Sequence, residues 1–219
     1  MFFDLIINSP VPPLYGLLAL ILILLSITFH EFAHAFVSNA LGDPTPRLTG
    51  RLTLNPLAHL DLFGTLFMLF GQFGWGKPVQ VNPRAYDEPY KGWALVSLAG
   101  PLTNIAFAVV LIGVLKLIGL FLSGLTLVYV QFALSTTIVA SITLAFFNLL
   151  PVFPLDGEKI VTYLLPLGKR HYFQTFMQKY GFFILVALIL PIFPGGYSVV
   201  SYILAPVQSI VINLLSIVA

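Results

Sequence analysis

The chain reads as an all-α polytopic membrane protein, a bundle of five to six transmembrane helices with a re-entrant β-loop segment on the cytoplasmic side. Three observations lead there. Hydrophobic residues make up 58% of the 219 residues and charged ones only 8%, where a soluble domain carries about 25% charged residues. The mean hydropathy is +0.99, and apolar runs recur at close to the ~20 residues a helix needs to cross a bilayer. Lys and Arg cluster in two connections and are missing from the others, the asymmetry of a multi-spanning protein.

The first span is expected over Leu14 to Ala40. It is expected to be retained rather than cleaved as a signal peptide, because Asp4 and no Lys or Arg precede it and its apolar run outlasts any h-region. Gly42-Asp43-Pro44-Thr45-Pro46 ends it. Arg47 to Leu54 alternates polar and apolar residues, as a short strand would. Leu60 to Phe73 is apolar but short, with Gly64 and Gly71 inside it, and suits a re-entrant segment or a short sixth span. Gly74-Trp75-Gly76 and the residues to Pro83 read as a glycine turn followed by an extended segment. Further spans are expected over Trp93 to Leu122, Leu125 to Leu150, Tyr180 to Phe193 and Tyr197 to Val218, the last two joined by the turn Pro194-Gly195-Gly196. Residues 1–219 form one membrane domain, with a core over 14–165 and additional C-terminal helices over 180–218.

Charge sets the expected orientation. Arg47, Arg51, Lys77, Arg84 and Lys91 lie between the first two spans, and Lys159, Lys169, Arg170 and Lys179 between the third and fourth. The positive-inside rule puts both connections in the cytoplasm and the amino terminus outside. A fully crossing Leu60 to Phe73 would split the basic residues between two sides, so the charges favour re-entry. The net charge of +2 is too small to argue for nucleic acid. With no cysteine, a metal can be held only by His, Asp or Glu.

Within the first span stands His30-Glu31-Phe32-Ala33-His34, an H-E-x-x-H motif. Histidines at i and i+4 share a helix face and converge on one Zn2+ ion, and the glutamate between them suits a general base. Such groups inside a membrane helix are costly, which makes them a functional site by default. His34 and His30 lie ~10 Å and ~15 Å from the cytoplasmic end of the helix.

A catalytic zinc site needs a third protein ligand. Asp156 is the best placed, at the cytoplasmic end of the third span, where Pro151 and Pro154 unwind the helix. A lesser reading, compatible with the first, makes it the N-cap of a helix beginning at Gly157. Asn148 offers an amide to a carbonyl oxygen gaining charge, or satisfies a helix end. His59-x-Asp61 offers competing ligands, but capping the re-entrant segment suits it better.

In this order and spacing, His30-Glu31-x-x-His34, Asn148 and Leu155-Asp156-Gly157 resemble the site-2 protease family of intramembrane zinc metalloproteases. Gly100-Pro101-Leu102-Thr103-Asn104 is similar to that family's G-P-x-x-N element, and Gly74-Trp75-Gly76 to the G-x-G of its re-entrant β-loop. The resemblance covers roughly residues 15 to 160 and is to a minimal member, without the PDZ or nucleotide-sensing domains of larger ones. It implies His30, His34 and Asp156 as ligands of one Zn2+, Glu31 as base, and Asn148 as a substrate or oxyanion contact. It also implies cleavage of transmembrane segments of other proteins. Gly74, Gly76 and Asn104 are carried over as substrate-binding positions. Gly74 and Gly76 equally permit a tight turn, and Asn104 equally serves packing. An exposed strand around Gly74 to Val81 would capture an unwound substrate backbone to backbone.

The expected setting is the plasma membrane of a prokaryote, with membrane proteins and the lipid bilayer as partners. Two other readings stand beside it: a divalent-metal transporter or channel using the same four polar residues, and an inactive relative that only binds membrane proteins. Polar groups clustered at one depth disfavour a pathway, which would string them along several helices, and the intact motif disfavours inactivity.

Overall fold

The structure, a computed structural model, describes residues 11–70 and 76–218. Helix α1 spans Pro13–Ala40, α2 Thr45–Leu48, α3 Pro56–His59, α4 Leu62–Phe70, α5 Pro89–Gly119, α6 Gly124–Asn148, α7 Asp156–Leu164, α8 Leu167–Ile189 and α9 Val199–Val218. A 3-10 turn covers Pro83–Ala85. Proline stands in the first turn of α1, α2, α3 and α5, where its fixed φ suits a helix and its missing N–H costs no bond.

Among the described residues, α1, α5, α6 and α9 are long and apolar enough to cross a membrane. Helix α1 packs on both α5 and α6, and α5 also carries α7. Ala108, Leu111, Leu115, Leu134, Ile138 and Leu215 form a buried cluster between α5, α6 and α9. A second cluster, with Phe147, Val152, Leu155, Leu185, Val200 and Leu204, joins the end of α6 to the loop after it, α8 and α9. In the most apolar stretch of α5 only 22% of residues are buried inside the protein. The remaining apolar surface needs lipid to cover it, so the chain is an integral membrane protein.

Three expectations differ from what is observed. The strand over Arg47 to Leu54 is absent: the chain enters α2 at Thr45, whose N–H donates to Asp43 Oδ1 at 2.9 Å, and that local turn bond outweighs an eight-residue alternation with no partner strand. Most of the stretch Tyr180 to Phe193 is the apolar end of α8, which stops at Ile189 and carries Lys169, Arg170 and Lys179 before it. That apolar stretch falls short of the ~20 residues needed to cross. If the four helices long and apolar enough to cross are the spans, the two basic connections still lie on one side.

The third difference concerns the β-loop. Among the described residues no strand forms. Leu60 and Gly76 make an isolated antiparallel bridge, and Lys77 N–H donates to the His59 carbonyl at 2.7 Å. Residues 77–82 run on without regular structure. Gly74 lies outside the described residues.

Candidate metal centre

The His30 and His34 rings leave the same face of α1, one turn apart, with their Nε2 atoms 3.0 Å from each other. Asp156 Oδ2 lies 3.3 Å from each of those nitrogens. A tetrahedral zinc with ligands at about 2.0–2.2 Å holds neighbouring ligand atoms roughly 3.3–3.5 Å apart. The triangle is therefore close in size to one face of that tetrahedron. Among the described residues this is the group of His, Asp and Glu side chains close enough to share an ion. Two imidazole nitrogens and one carboxylate oxygen suit zinc and leave its fourth position open. The donor set fits the metal.

Backbone and glycines explain how the three ligands meet. His34 Nδ1–H donates to the Val96 carbonyl at 2.7 Å, which fixes the tautomer and leaves the Nε2 lone pair free. Val96 stands in the turn of α5 before Pro101, which is fully buried and cannot bond the Ser97 carbonyl. A Cβ on Gly100 would sit 2.5 Å from His34 Nε2 and 2.6 Å from His30 Cε1, so only glycine lets α5 lie against both rings. At Gly157 a Cβ would fall inside the Leu149 carbonyl. That glycine allows α7 to start directly over the end of α6, which turns Asp156 back toward α1. Gly100 and Gly157 are part of the sequence motifs, yet no local pattern gives either a role. Their signal was present as G-P and D-G pairs, but the required closeness is a tertiary property.

Asp156 is the first residue of α7 and its side chain makes no capping bond, so the capping alternative is not used. Burial alone would raise its carboxyl pKa. The neighbouring His34 and His30 outweigh that and hold it well below the usual carboxylate range, so it presents an anionic oxygen.

Glu31 is not in this ligand group. Its Oε2 accepts the Val79 N–H at 3.1 Å. Gly76 lies nearby: a Cβ there would be 3.1 Å from Ile27 Cγ2 and 3.7 Å from Glu31 Oε1. The extended segment after Gly76 thus runs beside the motif.

The other expected residues are not gathered at the triangle. Asn148 ends α6 and donates its amide to the Leu144 carbonyl at 3.0 Å. Asn104 is fully buried, and its amide nitrogen lies 3.1 Å from His30 Nδ1. His59 is fully buried, with Nε2–H donating to the Thr53 carbonyl at 2.7 Å. Asp61 Oδ1 accepts the Gly64 N–H at 2.8 Å and so caps α4. Neither belongs to the ligand group.

Comparison with known proteins agrees with this chemistry. The profile of Peptidase family M50 matches residues 117–192. A Bacillus subtilis (strain 168) protein named "Putative zinc metalloprotease YwhC" is 41% identical over 192 residues, covering 85% of this chain and 83% of its own length. Two proteins with the same description and the name Rip2 are more distant. The one from Mycolicibacterium smegmatis (strain ATCC 700084 / mc(2)155) is 32% identical over 76% of this chain and 64% of its own. The one from Mycobacterium tuberculosis (strain ATCC 25618 / H37Rv) is 30% identical over 82% and 69%. No solved structure matches the chain with significance.

Proposed function

The chain belongs to peptidase family M50, the site-2 proteases, and is a membrane zinc metalloprotease; from that premise we propose that it cuts peptide bonds within or near transmembrane segments of other membrane proteins, as a step of regulated intramembrane proteolysis. The observation that carries this reading is the triangle of His30, His34 and Asp156, whose two histidines stand on a helix long and apolar enough to span a bilayer. His30, His34 and Asp156 hold the zinc. When bound, zinc supplies Lewis acidity toward the scissile carbonyl and the attacking water. Glu31 takes the proton of that water and returns it to the leaving amine. Asn148, at the end of α6, contacts the substrate or the carbonyl oxygen that gains charge.

A substrate helix resists cutting because its backbone is internally bonded, so it must unwind first. The segment from Gly74 through Gly76 to Val81 receives the unwound backbone by strand addition. This fits the extended course of residues 77–82 beside Glu31. All Lys and Arg except Lys116 lie in or beside the connections 41–88 and 149–198. This supports an amino terminus outside and an active site near the cytoplasmic face of a prokaryotic plasma membrane.

The test is cleavage in proteoliposomes of a panel of single-span proteins, with cut positions read by mass spectrometry. Cuts inside apolar segments, abolished by a chelator, are expected. Glu31→Gln should lower the rate by about 100- to 10,000-fold with zinc retained, whereas Asp156→Ala and His34→Ala should lose the metal. Cuts confined to soluble loops would refute the membrane-substrate reading, and metal flux without cleavage would favour a transporter.

A further inference from the structure

Behind the ligand triangle lies a chain of buried polar groups that joins three helices. Ser141 Oγ of α6 and Ser26 Oγ of α1 are 2.8 Å apart. Ser26 Oγ–H donates to Asn104 Oδ1 of α5 at 3.3 Å, and the Asn104 amide reaches His30 Nδ1. Ser26, Asn104 and Ser141 are each at most 1% exposed, and His30 only 5%. Polar groups so far from water persist only where they are satisfied. This chain begins at Ser141 on α6 and ends at His30 on α1.

The direction of the last bond matters. With Nδ2 of Asn104 facing His30 Nδ1, the amide donates, which suits an imidazole carrying its proton on Nε2. That proton would occupy the lone pair aimed at Asp156 and His34. A ring that ligates through Nε2 must carry its proton on Nδ1 and needs an acceptor there. His34 has one, the Val96 carbonyl. The described surroundings offer His30 the side chain of Asn104.

We propose that Asn104 is a positioning residue for the zinc ligand His30: in the ligating form its amide is turned over, Oδ1 accepts the His30 Nδ1–H, and Nδ2 donates to Ser26 Oγ. An amide has nearly the same shape either way round, so the turn keeps the packing. Ser26 Oγ then accepts from Asn104 and donates to Ser141, so the chain stays satisfied from end to end. Asn104 thereby selects the tautomer that binds metal and holds the ring's plane toward Asp156.

This inference rests on the assignment of His30, His34 and Asp156 as the zinc ligands, and the experiment separates the two. Zinc affinity is measured by competition with a chelator in purified full-length protein, for wild type, Asn104→Asp and Asn104→Leu. The His30 tautomer is read by imidazole nitrogen NMR on the zinc-loaded wild type, with His30→Gln for assignment. Asn104→Leu should weaken zinc binding by about 10- to 100-fold, while Asn104→Asp, which keeps the acceptor and the shape, should stay within about threefold of wild type. The NMR should show a proton on His30 Nδ1. Equal affinity of Asn104→Leu and wild type, equal losses in both variants, or a bare His30 Nδ1 would each overturn the proposal. The NMR result and Asn104→Asp decide it even where Asn104→Leu does not fold. A wild type that binds no zinc would overturn the ligand assignment itself, and this inference with it.

Discussion

Glu31 and Val79 are joined by a hydrogen bond of 3.1 Å, from the Val79 backbone N–H to the Glu31 carboxylate. The group with the chemistry of a general base is thus aimed by the main chain of an extended segment distant in sequence. A backbone donor cannot be removed by changing a side chain, except to proline. Val79→Pro is therefore expected to lower turnover by about tenfold, the order of effect of losing a positioning contact. Zinc content should be unchanged, because Val79 bonds Glu31, which is outside the ligand group. Peptidase rate beside metal analysis checks this, and full activity in Val79→Pro would deny the segment any part in aiming Glu31.

Gly100 and Gly113 share helix α5 and separate a local effect from a helix-propensity effect. A Cβ at Gly100 would meet His34 and His30 at 2.5–2.6 Å, while one at Gly113 would meet nothing within 4 Å. Gly113→Ala is expected to stabilise slightly, by ~0.5–1 kcal/mol. Gly100→Ala is expected to cost ~1–3 kcal/mol and to weaken zinc binding, because the rings must yield. Chemical denaturation and metal titration of the two variants provide the comparison.

Gly181 of α8 packs on the loop that delivers Asp156: a Cβ there would lie 2.7 Å from Phe153 Cβ and 3.0 Å from Phe153 N. Leu185 of the same helix is buried with Val152 and Leu155 of that loop. Substituting Gly181 by Ala should push the loop and lower zinc affinity, with a stability loss of about 1–3 kcal/mol. Replacing Gly168, at the start of the same helix and with nothing within 4 Å, should leave zinc affinity as it is.

Asp43 should make stability depend on acid. It is fully buried and accepts from Ser38 Oγ at 2.8 Å, Asn82 N at 2.7 Å and Thr45 N at 2.9 Å. Burial raises its carboxyl, but the hydrogen bonds from Asn82, Thr45 and Ser38 outweigh this and hold it below the ordinary value of 3.8. A carboxyl depressed in the folded state contributes its full stabilisation above the unfolded value. That contribution falls away as pH drops from about 4 through the folded value. Asp43→Asn is expected to cost ~1–3 kcal/mol at neutral pH, with the gap to wild type narrowing below about pH 4. Unfolding curves at several pH values test the sign.

Much of the centre was legible because its signal is local. His30, Glu31 and His34 need only helical spacing inside an apolar run, and Asp156 stood out as an acid in a proline-broken turn. The ends of α1, α5, α6 and α9 follow from apolar length and from Pro and Gly at their boundaries. The segment between α1 and α5 was less legible. Alternation over Arg47 to Leu54 lacked a partner strand, and a strand signal without a partner has no force.

By itself, then, the sequence determined that the chain lives in a membrane and that two histidines and a glutamate share one helix there, because composition and periodicity act within single segments. Only the tertiary structure brings Asp156 within 3.3 Å of both histidines, sets Gly100 and Gly157 where a Cβ would clash, bonds the Val79 N–H to Glu31 and places the buried Asn104 beside His30. Each of these pairs residues far apart in the chain, and ångström-scale closeness between helices depends on how whole faces pack, which no local pattern encodes.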